Sequence, residues 1–130
     1  MADNLTNYLE NALVNHVFRN TELTSPAAVY IGLTTSDPGE TGSVAGEISG
    51  NAYVRQAITF GAPSDGSITT TALIEFPVAT GDWGTISHIG IFDAESSGNM
   101  LAYGALSVAK DILTDDQFKI QIGDLTLSLS

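Results

Sequence analysis

Apolar residues change their spacing once along the chain, and the change separates a helical start from a strand-rich remainder. From Asn4 to Arg19, "NLTNYLENALVNHVFR", Leu5, Tyr8, Leu9, Ala12, Leu13, His16 and Val17 recur at three- and four-residue steps, the stripe of an amphipathic helix. Asp3 or Asn4 is expected to cap its start, because a short side-chain oxygen satisfies an orphan amide there. His16 and Arg19 near its end suit the negative pole of the helix dipole. Such a stripe must bury against the body of its own subunit or against a neighbour.

Beyond "TSP" at 24–26 the period becomes that of strands. Ala28 to Thr34, "AVYIGLT", is β-branched and aromatic-rich, and the turn-forming "SDPGETG" follows Thr35. Ser36 to Asn51 is long, acidic and Gly-rich without periodicity, as expected of a surface binding loop or a mobile one. Further strands are predicted at 53–60 ("YVRQAITF"), at 71–77 up to Pro77, at Thr85–Phe92 and from Met100 to Leu106. The segment 85–92 is apolar on both faces, which marks a central strand, and "DAESSGN" at 93–99 reads as its hairpin connection. Phe118, Ile120 and Ile122, then Leu125, Leu127 and Leu129, alternate cleanly and predict strands with one wet face.

Six to eight short strands after one helix argue for a mainly β fold: an antiparallel β-sandwich, jelly-roll-like, with one N-terminal α-helix. The expected division is a single domain, 1–130, with the helix at 4–19 and the sandwich at 28–130. At 130 residues a single core is enough, with roughly two-thirds of the unfolded chain's surface buried. No internal repeat is visible.

Charge narrows the partners. The formal net charge is -11, with Arg19, Arg55, Lys110 and Lys119 as the only lysines and arginines. Four scattered cations argue against nucleic acid, whose binding depends on clustered Lys and Arg, and the acidic excess opposes an anionic bilayer. Yet 43% of residues are hydrophobic and only 15% charged, so the charge decorates a folded body. No run reaches the ~18 apolar residues of a membrane span, and Met1 to Glu10 is polar and acidic. The expectation is a soluble chain without a cleaved signal. Without cysteine, disulfides and thiolate metal sites are excluded.

No chemistry-bearing motif stands out. A Gly-x-Ser-x-Gly elbow, a phosphate loop and a dinucleotide fingerprint are all missing from the sequence. His88 reads as a hydrogen-bonded packing residue of a central strand, and Trp83, between Gly81 and Gly84, as a core plug or subunit contact. Asp37, Glu40, Glu47, Asp115 and Asp116 carry oxygen donors of the kind calcium accepts, but no EF-hand spacing joins them and they read as solvated acidic loops. "NLT" at Asn4 matches a glycosylation acceptor by a motif short enough to occur by chance. The expectation is therefore a protein with no catalytic residues, no metal and no cofactor.

At "SPAAVYIGLTTSDPGETG", "EISGNAYVRQAITF" and "TGDWGTISHIGIFDAESSGNMLAYGAL" the sequence resembles a family of small tailed-bacteriophage virion proteins. The likeness covers nearly the whole chain, and its last block is the most specific part. It implies a virion component; similar β-rich virion proteins act as cement or decoration proteins, and members are often labelled tail fibre proteins. On that footing the expected function is capsid cement, assembled in the host bacterial cytoplasm and bound outside the shell as homotrimers that bridge neighbouring major capsid proteins. A compact chain without heptads or extended repeats fits that role better than a long fibre does. A tail-fibre or baseplate-associated protein that recognises the host surface is the alternative. The expected partners are the major capsid protein and a second copy of the chain, with no nucleic acid, membrane or small-molecule substrate.

The interface is expected on the helix, through Leu5, Tyr8, Leu9 and Leu13, and on the long loop, through Asp37, Glu40 and Glu47. Tyr30, Tyr53, Trp83 and Tyr103 join them because aromatic residues are enriched at interfaces, with Arg55 beside them.

Overall fold

Strand β2 (Val29–Thr34) and strand β6 (Gly84–Phe92) run antiparallel at the middle of the molecule, and both are apolar on two faces because both faces are covered. The computed structural model describes residues 4–129. Around this pair a five-stranded sheet has the order β1-β7-β6-β2-β3, with β1 at Asn4–Leu5, β3 at Gln56–Ile58 and β7 at Met100–Ile112. Two antiparallel ribbons complete the strands: β4 (Ser67–Thr69) with β9 (Thr126–Ser128), and β5 (Ile74–Glu75) with β8 (Lys119–Ile120). The class is the one expected, mainly β and antiparallel with a single short helix, α1 (Asn7–Phe18). A jelly roll is not established by this strand order.

Register decides which side chains share the core. Ile31, Ile91 and Ala102 stand opposite one another across three strands, with Leu33 opposite Ile89 beside them. They pack with Ile74, Phe76, Phe118, Ile120 and Leu125 from the ribbon side, so the main core lies between the sheet and the ribbons. Ile86 and Ile89 are three residues apart, a spacing that plain alternation would send to opposite faces. A register shift against β7 between Ile86 and His88 restores both to the core. At that shift Ser87 alone faces Leu106–Ala109, a bulge that leaves Val108 72% exposed.

The second face of the sheet carries Phe92, Met100 and Tyr103. The segment from Ser36 to Asn51, expected as a surface loop, is largely exposed and is tied down by hydrogen bonds over this face. Thr35 donates to Gly46 O at 2.9 Å, Ile48 to Leu33 O at 3.1 Å and Asn7 to Glu40 O at 2.8 Å. Pro38 is buried, and the backbone at Gly42 comes so close that a Cβ there would lie 3.1 Å from Met100 Cβ. The segment therefore acts as a cover, and its hydrogen bonds replace the missing neighbour of β2 beyond Ile31, where β3 ends.

Other boundaries move for local reasons. The helix begins at Asn7 with Thr6 as its cap: Thr6 Oγ1 accepts from Leu9 N at 3.4 Å and donates to Met100 O at 2.6 Å. Asn4, named above as a cap, instead pairs with Tyr103 in β1, and Asp3 lies outside the described residues. The segment 53–60 shortens to Gln56–Ile58 and 71–77 to Ile74–Glu75, whereas the strand from Met100 extends past Leu106 to Ile112. Helix α1 ends where Asn20 turns left-handed, with φ 55°, a conformation asparagine tolerates better than most residues.

Candidate functional site

Arg55 sits just before β3 and is 7% exposed, where a cation needs partners. The fold supplies all of them. Its Nε donates to Glu47 Oε2 and its Nη2 to Glu47 Oε1, each at 2.8 Å. Its Nη1 donates to Ala94 O at 2.9 Å and Ser97 O at 2.8 Å, and the guanidinium lies 3.5 Å over the Phe92 ring centroid. Tyr53 completes the group by donating its hydroxyl to Glu47 Oε2 at 2.7 Å while accepting from Leu33 N at 3.0 Å. Burial first, and then the Glu47 carboxylate, push the Tyr53 hydroxyl far above the ordinary phenol range, so it stays a donor.

This network fastens the covering segment, the start of β3 and the 93–99 hairpin to one another. A forked bidentate pair in which every guanidinium nitrogen bonds within the subunit suits permanent binding there. Its packing also explains Gly32, since a Cβ there would lie 2.8 Å from Glu47 Oε2 and from Phe92 Cε1. Above the network opens a cleft of about 400 Å³ with Val44, Ile48, Val54, Ser49 and Glu95 in its walls.

Trp83 takes the core-plug role. It is 5% exposed, donates Nε1 to Asn51 O at 2.9 Å, and meets Tyr53 and Phe76 edge-on at 5.4 and 6.4 Å. Phe76 continues the cluster to Phe118 at 5.7 Å. His88 lies in the central strand, as expected, with Nδ1 2.8 Å from Ser87 Oγ and Nε2 4.0 Å from Asp37 Oδ1. Serine, histidine and aspartate thus come near one another, but 4.0 Å is beyond hydrogen-bond reach and Asp37 Oδ1 already accepts from Gly39 N. None of the three lines the cleft.

The remaining expected interface residues disperse. Leu5, Leu9 and Leu13 are half-buried toward the body, where a groove of about 180 Å³ separates the start of α1 from the β4–β9 ribbon. Tyr30 is half-buried between Ala57 and Phe92 in the sheet, and Tyr103 is buried in the second-face cluster. Loss of solvent, then Glu40, Asp37 and Glu10, raise the Tyr103 hydroxyl above its ordinary value. Tyr8, Asp37 and Glu40 are exposed. Of the expected residues the fold brings Glu47, Tyr53 and Arg55 together as an internal pin, with Trp83 packed against Tyr53. Among the described residues no three His, Asp or Glu side chains converge on a metal-sized site, and no helix is long and apolar enough to cross a membrane.

The largest uncovered apolar surface on the helix was named only in part, through Val17. Val14, Val17 and Phe18 are 54%, 61% and 79% exposed, and no residue of α1 is buried. Val14 and Phe18, four residues apart, share a face rotated away from Leu9 and Leu13, and Val17, four residues after Leu13, lies between the two faces. Val17 belonged to the expected stripe, whereas Val14 and Phe18 lie beside it and were left out of it. A helix apolar on two sides needs two coverings, and the subunit provides one.

A family model described as "Podophage GP4 fiber I protein gp80" matches residues 4–128. No curated protein matches the chain.

Proposed function

The chain belongs to the podophage GP4 fiber I protein family, a family of phage structural proteins, and from that premise we propose that it is a non-catalytic building block of the tail-fibre apparatus. Its work is adhesion: the outer face of α1 docks on a neighbouring virion protein. The observation that carries this reading is the exposure of Val14, Val17 and Phe18 on a helix whose other face already rests on its own subunit. Covering each of these side chains contributes about 1.5–3 kcal/mol when burial is complete, enough together for a specific contact. Repetition of the contact in a particle raises the effective concentration of every remaining one.

Capsid cement is the second reading, favoured by one feature: the described residues form a layered body with no heptad run or extended repeat. A count of copies per purified particle separates the two, since cement is needed in hundreds and a fibre component in few.

The docking face has its own test. Phage supplied only with a Val14→Asp/Phe18→Asp chain are expected to incorporate it about 30-fold less than wild type, the loss of a single strong interface anchor. The isolated variant should keep its thermal midpoint, because both side chains already face water in the subunit. Normal incorporation of a folded variant contradicts docking through α1.

A further inference from the structure

The docking reading leaves open what covers α1, and the cleft above the Arg55 pin supplies an occupant. Its walls offer Val44 and Val54, exposed at 52% and 37%, beside the exposed carboxylate of Glu95. Its floor offers no unpaired cation, because Arg55 is ion-paired with Glu47 and each of its three nitrogens already donates within the subunit. A mostly polar cleft that offers two exposed valines beside a free carboxylate, with its own cation already paired, favours an apolar group that carries a cation next to it. Anions and nucleic acid are disfavoured.

The chain displays that combination itself. Phe18 is 79% exposed, and Arg19 follows it, its guanidinium bonded among the described residues to Asn15 Oδ1 at 3.1 Å. Of the other lysines and arginines, Arg55 is buried in the pin, and Lys110 and Lys119 lie on strands. A cleft of about 400 Å³ has room for a phenyl ring, and Phe18 is not among its lining residues, so the subunit does not fill its own cleft. The start of α1 is tied to the β1–β7 edge of the sheet, whereas the cleft forms beside the segment that leads into β3, the opposite edge.

We infer that the cleft is the receptor for a second copy of this chain: Phe18 of one subunit enters the Val44–Val54 cleft of the next, and Arg19 pairs with Glu95. Knob and cleft are different patches, so the contact is head-to-tail and joins subunits into a ring or a chain. The inference rests on the docking reading and names its partner.

The test is self-association of the full-length purified protein, measured by sedimentation over a range of concentrations at about 0.15 M salt, where only close charge pairs escape screening. Wild type is expected to associate, and Phe18→Ala to weaken its Kd at least about 10-fold, the effect of an interface anchor. Arg19→Glu and Glu95→Arg should each weaken association, and the double exchange Arg19→Glu/Glu95→Arg should restore it to within a few-fold of wild type. Circular dichroism of each variant confirms that these exposed substitutions leave the fold intact. A monomeric wild type, or a double exchange no better than the single ones, overturns the inference. If wild type is monomeric while Phe18 is still required for incorporation into particles, α1 docks on a different protein and the functional reading survives without this partner.

Discussion

Replacing Arg55 by methionine is expected to destabilise the protein by about 3–5 kcal/mol, the cost of leaving one member of a buried ion pair without its partner. Methionine keeps much of the side-chain volume over Phe92 but removes every donor. Glu47, with 14% of its side chain exposed, is left as an uncompensated carboxylate, and the carbonyls of Ala94 and Ser97 each lose a charged donor. The covering segment and the 93–99 hairpin then lose their common anchor. Thermal unfolding should begin more than about 10 °C lower than in wild type, given the usual dependence of the midpoint on stability for a chain of this size. Arg55→Met/Glu47→Gln should lose less than the sum of the two single changes, because neutralising the carboxylate removes the stranded charge. A loss below about 1 kcal/mol for Arg55→Met, the range of a surface ion pair, contradicts the description of this network as a structural pin.

Phe76→Ala has a comparable expected effect by a different route. The ring is fully buried and lies among Tyr53, Trp83 and Phe118, with centroids at 6.1, 6.4 and 5.7 Å. Removing it opens a cavity among side chains held by separate elements, so collapse can fill it only in part. The expected destabilisation is about 3–5 kcal/mol, with loss of the near-ultraviolet signal from Trp83 as its packing loosens. Chemical denaturation measures the first quantity and circular dichroism the second. Near-wild-type stability would mean that Phe76 is not at the junction of sheet and ribbons.

These residues also show where sequence reading reaches its limit. The strands from Gly84 to Phe92 and onward from Met100 were legible because their patterns are set by their own neighbours, and Val29–Thr34 fell within one residue of its expected start. The helix was legible in its spacing, but its first turn was not. Thr6 caps it while binding Met100 and Leu101, partners 94 and 95 positions away. The same distance in sequence hid the covering segment, because nothing local in "SDPGETGSVAGEISG" says that it will lie over Met100. Strands β1 and β4, of two and three residues, are too short to carry a period and are defined by their pairing alone. Arg55 was read as an interface residue, and the alternation of Val54, Ile58 and Phe60 would turn it outward; its burial follows from Glu47 and the 93–99 hairpin, partners no local pattern announces. Within the candidate site the sequence contained Glu47, Tyr53 and Arg55, but their union depends on three segments meeting.

Two layers of work divide the molecule. The pin and the aromatic cluster hold sheet, cover and ribbons together, and in the proposed function the exposed outer face of α1 is what a neighbour covers. The measurement that tests this division most directly is a reconstruction of the mature particle at a resolution that shows side chains. The account predicts this chain in the tail-fibre apparatus, with Val14, Val17 and Phe18 covered by protein and Arg55 still bound to Glu47. A particle in which that face of α1 borders only solvent, or in which the chain is missing altogether, contradicts it.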